Sequence, residues 1–141
     1  MRGVMFNNKH SWFDWGLMLK TFPRVSPPEP KTKLVEVPGS DSVIDLTKML
    51  TGKVHYKQRK ITCQFTLSCD RERWEMVYTD IMNHLHGKDM EIILDDDFEY
   101  IYKGRASITA WEPGQHAADV VITAEVEPYK TARFIAGKKV L

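Results

Sequence analysis

Within DRERWEMVYTDIMNHLHG, Asp70 to Gly87, the residues Trp74, Val77, Tyr78, Ile81, Met82 and Leu85 recur at i, i+3, i+4, i+7, i+8 and i+11. They make one continuous apolar stripe of helical period. No other stretch of the chain sustains that period. The spacing predicts one helix of roughly four turns. Asp70 would open it by accepting from the free N–H groups of the first turn, and Gly87 would close it in the left-handed conformation. A helix with a Trp, a Tyr and four aliphatic or thioether groups along one side must lay that side on something. Everything else in the chain reads as strand and turn, so what it covers is a sheet.

The strands follow from alternation. Val4 and Phe6 lead into Asn7-Asn8, a pair suited to the positive φ of a tight turn, and the chain is expected to return through His10 and Trp12. SWFDWGLML is apolar on both strand faces, with Phe13, Trp15, Leu17 and Leu19 on one and Trp12 and Met18 on the other. It reads as a strand buried on both sides, either central in the core or set partly in a subunit interface, where Trp is enriched. TFPRVSPPEPKTK carries Pro23, Pro27, Pro28 and Pro30, which remove backbone donors and exclude a central strand. Flanked by Leu17 to Lys20 and Leu34 to Val37, it reads as the stiff tip of a long hairpin, which is either a plain surface loop or an arm that docks on a neighbour at small entropic cost.

Pro38-Gly39 marks a turn, Val43, Ile44 and Leu46 a short strand, and Thr51-Gly52 a break. Tyr56 to Leu67 runs into the helix. In ITCQFTLSC the set Ile61, Cys63, Phe65, Leu67 alternates with Thr62, Gln64, Thr66, Ser68, so Cys63 and Cys69 are expected to be buried free thiols. Six residues apart on an extended strand they are separated by roughly 20 Å, too far for a disulfide. After Gly87, Met90 to Leu94 turns at Asp95 to Asp97 into Phe98, Tyr100, Tyr102, Ala106, Ile108 and Ala110, and Pro113-Gly114 turns the chain again into Val120, Ile122, Ala124 and Val126. About eight strands with short loops make a mainly β fold: an antiparallel β-sandwich or open barrel with one α-helix (about Asp70 to Gly87) and an extended proline-tipped hairpin. Residues 1–130 form one domain. Residues 131–141 show no pairing pattern and read as a C-terminal tail or a short swapped segment.

Composition narrows the function. A net charge of +1 with 28% charged residues argues against a chain whose main task is gripping polyanions. No apolar run approaches the ~18 residues of a membrane span, and MRGVMFNNKH has no apolar leader core. His84 and His86, two apart on a helix, cannot chelate one metal together and suit capping or surface roles. Asp95-Asp96-Asp97 lacks calcium-loop spacing and reads as a solvated hairpin tip. There is no G-x-S-x-G, P-loop or G-x-G-x-x-G, and no serine in a nucleophile setting. No catalytic, metal-binding or cofactor-binding residue is assigned, and no cofactor is expected.

The stretches GVMFNNKHSWFDWGLML, PPEPKTKLVEVPG, DSVIDLT, IMNHLHGK, MEIILDDD and AEVEPYK come in an order that resembles the N-terminal domain of the distal tail proteins of long-tailed phages of Gram-positive bacteria, the siphophage tail-component family usually called Dit. The resemblance runs from about Gly3 to Lys130. Ser40 and Ser42 stand where the family often has Arg and a second Gly. Many relatives continue into a C-terminal β-domain, often galectin-like and associated with carbohydrate contact, whereas this chain runs only about ten residues past EPYK, so no sugar-binding role is carried over from the resemblance.

The resemblance implies a β-sandwich plus helix that assembles with itself into a hexameric ring in the virion tail, after synthesis in the bacterial host cytoplasm. Its other partners would be the tail tube and the tail tip or baseplate hub, with no membrane and no specific nucleic-acid binding, although DNA would pass through the ring. The expected interface residues are Trp12, Phe13, Trp15, Leu17, Met18, Leu19, Pro23, Pro27, Pro28 and Pro30. A rival reading is a monomeric β-sandwich that binds a glycan or protein partner, which exposed Trp12, Trp15 or Trp111 would favour. An enzyme would need a concave site that the sequence does not announce.

Overall fold

A computed structural model of the protein describes residues 2–32, 34–36, 38, 39, 43–45, 53–67 and 69–141. The expectations at Ser40, Ser42, Leu46 and Thr51-Gly52 lie outside them. The chain opens with the hairpin β1 (Val4–Phe6) and β2 (Lys9–His10) around Asn7 and Asn8, both at positive φ (47° and 71°) as a two-residue hairpin turn requires. A short helix, α1 (Ser11–Trp15), then leads into β3 (Leu17–Leu19) and β4 (Arg24–Val25). Next come β5 (Pro30–Lys31), β6 (Leu34–Glu36), β7 (Val43–Asp45), β8 (His55–Tyr56) and the long β9 (Arg59–Leu67). A 3-10 turn (Arg71–Arg73) enters α2 (Trp74–Leu85). The rest is β10 (Lys88–Leu94), a 3-10 turn (Asp95–Asp97), β11 (Tyr100–Pro113), β12 (Ala118–Val126), β13 (Lys130–Ala132) and β14 (Lys139–Val140).

The main sheet is antiparallel in the order β2-β1-β10-β11-β12-β9-β3, with β4 also on β9 and β13 and β14 added at the start of β11. It curls into a half-barrel. Alternation puts Ile61, Cys63, Phe65 and Leu67 of β9 and Val120, Ile122, Ala124 and Val126 of β12 inside, and α2 closes the hollow with buried Trp74, Val77, Ile81 and Leu85. Tyr78 and Met82 are half-buried, and Tyr78 stacks on Trp111 at 4.4 Å. The outer face is polar. Asp89, Arg105, Glu125 and Lys60 stand opposite one another across β10, β11, β12 and β9, a row of alternating sign.

The helix begins at the 3-10 turn, where Asp70 uses its carbonyl rather than its carboxylate, accepting from Arg73 N–H at 2.8 Å. Gly87 is left-handed (φ 74°) and donates its N–H to Ala106 O. Burial in the core pushes the Cys63 thiol up to about 12, whereas Cys69 is only half-buried.

Three local expectations are corrected. Ser11–Trp15 is helical rather than strand: the His10 ring Nδ1 accepts from Trp12 and Phe13 N–H, and Gly16 (φ 72°) ends the turn. Trp15 goes into the core beside Phe6 and Phe13 points to solvent, so the two-faced apolar pattern is that of a helical turn followed by the short strand β3. The prolines are not the tip of a hairpin between Leu17–Lys20 and Leu34–Val37. β3 and β4 pair with β9, and the prolines line the outgoing limb of a ribbon in which Ser26 N–H donates to Lys60 O, Lys57 N–H donates to Glu29 O, and β5 pairs with β8. Beyond them β6 pairs with β7 around Pro38-Gly39. Finally, residues 131–141 are not an unpaired tail, because β13 pairs with Tyr100 and Ile101 of β11 and with β14.

At Gly104 a Cβ would lie 2.1 Å from Glu125 O and 2.5 Å from Val126 Cα, both backbone atoms that cannot give way. Gly104→Ala should therefore cost about 1–3 kcal/mol by overpacking. Ile81→Ala should cost about 2–5 kcal/mol by emptying the contact between α2 and the sheet. Urea unfolding of each variant checks both values.

Candidate interaction surface

The turn Asp95–Asp97 ties three separate elements to one end of the half-barrel. Asp95 Oδ2 accepts from Gly3 N–H and from His10 Nε2, each at 2.8 Å. Because His10 Nδ1 is already an acceptor for the first N–H groups of α1, Nε2 carries the proton. Ser11 Oγ, fully buried, accepts from Val4 N–H at 3.0 Å, and Asp14 accepts from His10 N–H at 2.6 Å. A Ser, a His and an Asp thus stand close together, but both ring nitrogens are taken up by Asp95 and the start of α1, and the hydroxyl oxygen accepts from β1. Asp96 pairs with Arg2 at 3.3 Å, and Asp97 with Lys130 at 2.6 Å. The triplet expected to be simply solvated is a bracket.

Burial alone would lower the Lys130 pKa, but the hydrogen bond that Lys130 donates to Asp97 and the Asp97 and Tyr102 interactions outweigh it and hold the ammonium above its usual range. The bracket organises an unusual set of side chains. Of the six phenylalanines, only Phe6 and Phe65 are buried; the other four are exposed, and each is connected to the Asp95–Asp97 turn, Phe13 and Phe22 through one residue, Phe98 directly and Phe134 through Arg133 and Phe98. Phe13, 75% exposed, packs on His10 at 4.8 Å. Phe22 lies under Arg2. Phe98 caps the turn and its carbonyl accepts from Arg133, whose guanidinium covers Phe134 at 5.1 Å. Phe134 and Ile135, with Glu99, Tyr100, Ala132 and Lys138, line a small cavity of about 120 Å³. Single exposed apolar side chains are ordinary; a gathered set marks a contact surface.

The residues predicted for an interface are divided by the fold. Phe13, Pro27 and Pro30 are exposed, Trp12, Met18, Leu19, Pro23 and Pro28 are half-buried, and Trp15 and Leu17 belong to the core. Sequence reading missed Phe22, Phe134 and Ile135, and it placed Phe98 on the face of the following strand, whereas Phe98 caps the turn and is exposed. Phe134 and Ile135 alone carried a signal, as apolar residues in a segment with no alternation. Trp15 is buried and Trp111 is stacked on Tyr78, so the three tryptophans do not form an aromatic platform. His84 Nε2 donates to Phe6 O at 2.7 Å, and His86 Nδ1 accepts from Ile108 N–H, which gives both rings structural partners. Among the described residues no group of three or more His, Cys, Asp or Glu is placed to hold a metal, and no helix is long and apolar enough to cross a membrane.

The curled half-barrel covered by α2 is similar in fold to a solved phage protein. The solved structure that carries this comparison is the SPP1 Dit (gp 19.1) protein, described as a paradigm of the hub adsorption apparatus in phages that infect Gram-positive bacteria. It matches 94% of this chain with a TM-score of 0.75 at 14% identity, and the chain spans 52% of its length. At that identity the likeness is one of fold. No protein-family model and no curated protein sequence matches the chain.

Asp97→Asn should free the C-terminal hairpin without unfolding the sheet. Hydrogen exchange at Thr131 and Lys139 is expected to accelerate while Val120 to Ile122 stay protected. Since the Lys130 pKa is raised, its contribution is complete below the ordinary lysine range and is lost as pH climbs through the folded value, so the same hairpin should loosen only at strongly alkaline pH.

Proposed function

We propose that this chain is a structural component of a phage or prophage tail that works by assembly, forming a hexameric ring that joins the tail tube to the tail tip or baseplate. The observation that carries the reading is the fold match over 94% of the chain to a tail hub protein. The exposed phenylalanines held by the Asp95–Asp97 bracket agree with it, because a subunit that assembles must keep apolar groups outside its own core. So does the ribbon that leaves the sheet edge through the proline-rich limb. A closed ring needs a different surface at each side of the subunit, repeated head to tail.

Light scattering over a concentration series should find a species of six subunits. Deleting residues 34–45, which carry β6 and β7, should leave the circular dichroism and thermal midpoint nearly unchanged while the mass falls to that of a single chain. A ring that persists without those residues would remove the arm from the mechanism. A wild-type chain that is monomeric throughout and is never recovered with assembled tails would overturn the reading.

A further inference from the structure

Two exposed faces of the subunit complement each other and lie far apart. The first is the C-terminal hairpin. Residues 130–141 contain Lys130, Arg133, Lys138 and Lys139 and no acidic side chain. Lys130 is tied to Asp97, but Arg133, Lys138 and Lys139 are exposed; Arg133 lies over Phe134, which is 70% exposed, and Lys138 shares a small cavity with Phe134, Ile135 and Glu99, the one carboxylate there. The second is the outer side of α2 and its entry turn. There Met76, 53% exposed, is surrounded by Glu72, Glu75, Thr79 and Asp80, all exposed and on the side opposite the buried stripe. Between residues 70 and 83 four carboxylates face two cations, Arg71 and Arg73.

The hairpin pairs with Tyr100 and Ile101, whereas the acidic end of α2 lies toward Trp111, on which Tyr78 stacks. Eleven residues of strand separate those points, about 35 Å of contour at ~3.3 Å per residue. One subunit cannot bring its own two faces together.

We propose that the occupant of each face is a second copy of this chain, with the Phe134–Ile135 tip of one subunit seated on the Met76 face of α2 in the next. This rests on the assembly reading and names the surfaces that would meet. The contact is heterologous, because different patches join, and it leaves one free hairpin and one free helix face on every dimer, so it propagates until it closes. Its apolar centre supplies the desolvated anchor, and the cations of the hairpin against the carboxylates of the helix set the orientation.

The test uses two variants of the full chain. Phe134→Asp disables the hairpin and keeps the helix face; Met76→Asp does the reverse. Both sites are exposed, and circular dichroism should show each variant folded. Light scattering should find each alone monomeric, whereas an equimolar mixture should give a dimer and nothing larger, because only one contact of the wild-type kind can form. Replacing Lys138 and Lys139 by Glu should weaken self-association at least tenfold, and replacing Glu72 and Glu75 by Lys in the same chain should restore it. A wild-type ring that either aspartate variant leaves intact would overturn this contact and leave the tail reading standing. A wild-type chain that never self-associates would overturn it together with the ring. Unchanged association in Phe134→Asp, with loss of sedimentation on phosphatidylglycerol vesicles, would assign the hairpin to lipid instead.

Discussion

The structure depends on one burial event: the stripe of Trp74, Val77, Ile81 and Leu85 laid into the hollow of a curled sheet. An antiparallel sheet with one apolar face needs a cover, and a half-barrel offers a cavity about as wide as one helix. Each of the larger side chains contributes roughly 1.5–3 kcal/mol when taken from water. The core residues of β1, β9, β10 and β12 converge on the same volume, so the order of the strands and the position of α2 are set together. Once they are, the other face of the sheet is left to water, and the charge row from Asp89 to Lys60 is suited to it.

Around that core the remaining elements are held by polar contacts rather than by apolar area. α1 is five residues long and could not persist alone. It is kept by the His10 cap, by Ser11 on Val4 N–H, and by Trp15 lodged between Phe6 and His84. The C-terminal hairpin pairs with β11 only at Thr131 and Ala132, and the side chains of Lys130 and Arg133 tie it to Asp97 and to Phe98 O. Both attachments meet at Asp95–Asp97, so three consecutive carboxylates decide how the aromatic groups at this end are presented.

The parts of the fold governed by periodicity could be read from the sequence. The helix stripe, the Asn7-Asn8 turn, the core alternation of β9 and β12 and the left-handed Gly87 are local patterns with local causes. The parts that failed are those in which a distant partner decides. SWFDWGLML has enough apolar residues for a strand, and only the ring of His10, itself fixed by Asp95 from eighty-five residues away, makes its first five residues helical. The prolines excluded a central strand correctly, but which strand they run beside depends on β9. Phe22 carries no period at all and Phe98 carries a misleading one, as the head of an alternating set that begins in the structure only at Tyr100; the exposure of both goes with the Asp95–Asp97 bracket, which sequence alone presents as three solvated acids.

The ribbon has a mechanical consequence. Its outgoing limb leaves β4 and pairs as β5 with β8, and β8 leads into β9, which is paired along all nine of its residues with β12. A pull on the β5–β8 pair is therefore directed along β9, where it meets the whole ladder in shear rather than opening hydrogen bonds one at a time. Load applied there reaches the centre of the sheet before any single bond has to yield, which makes the ribbon a strut anchored in the body.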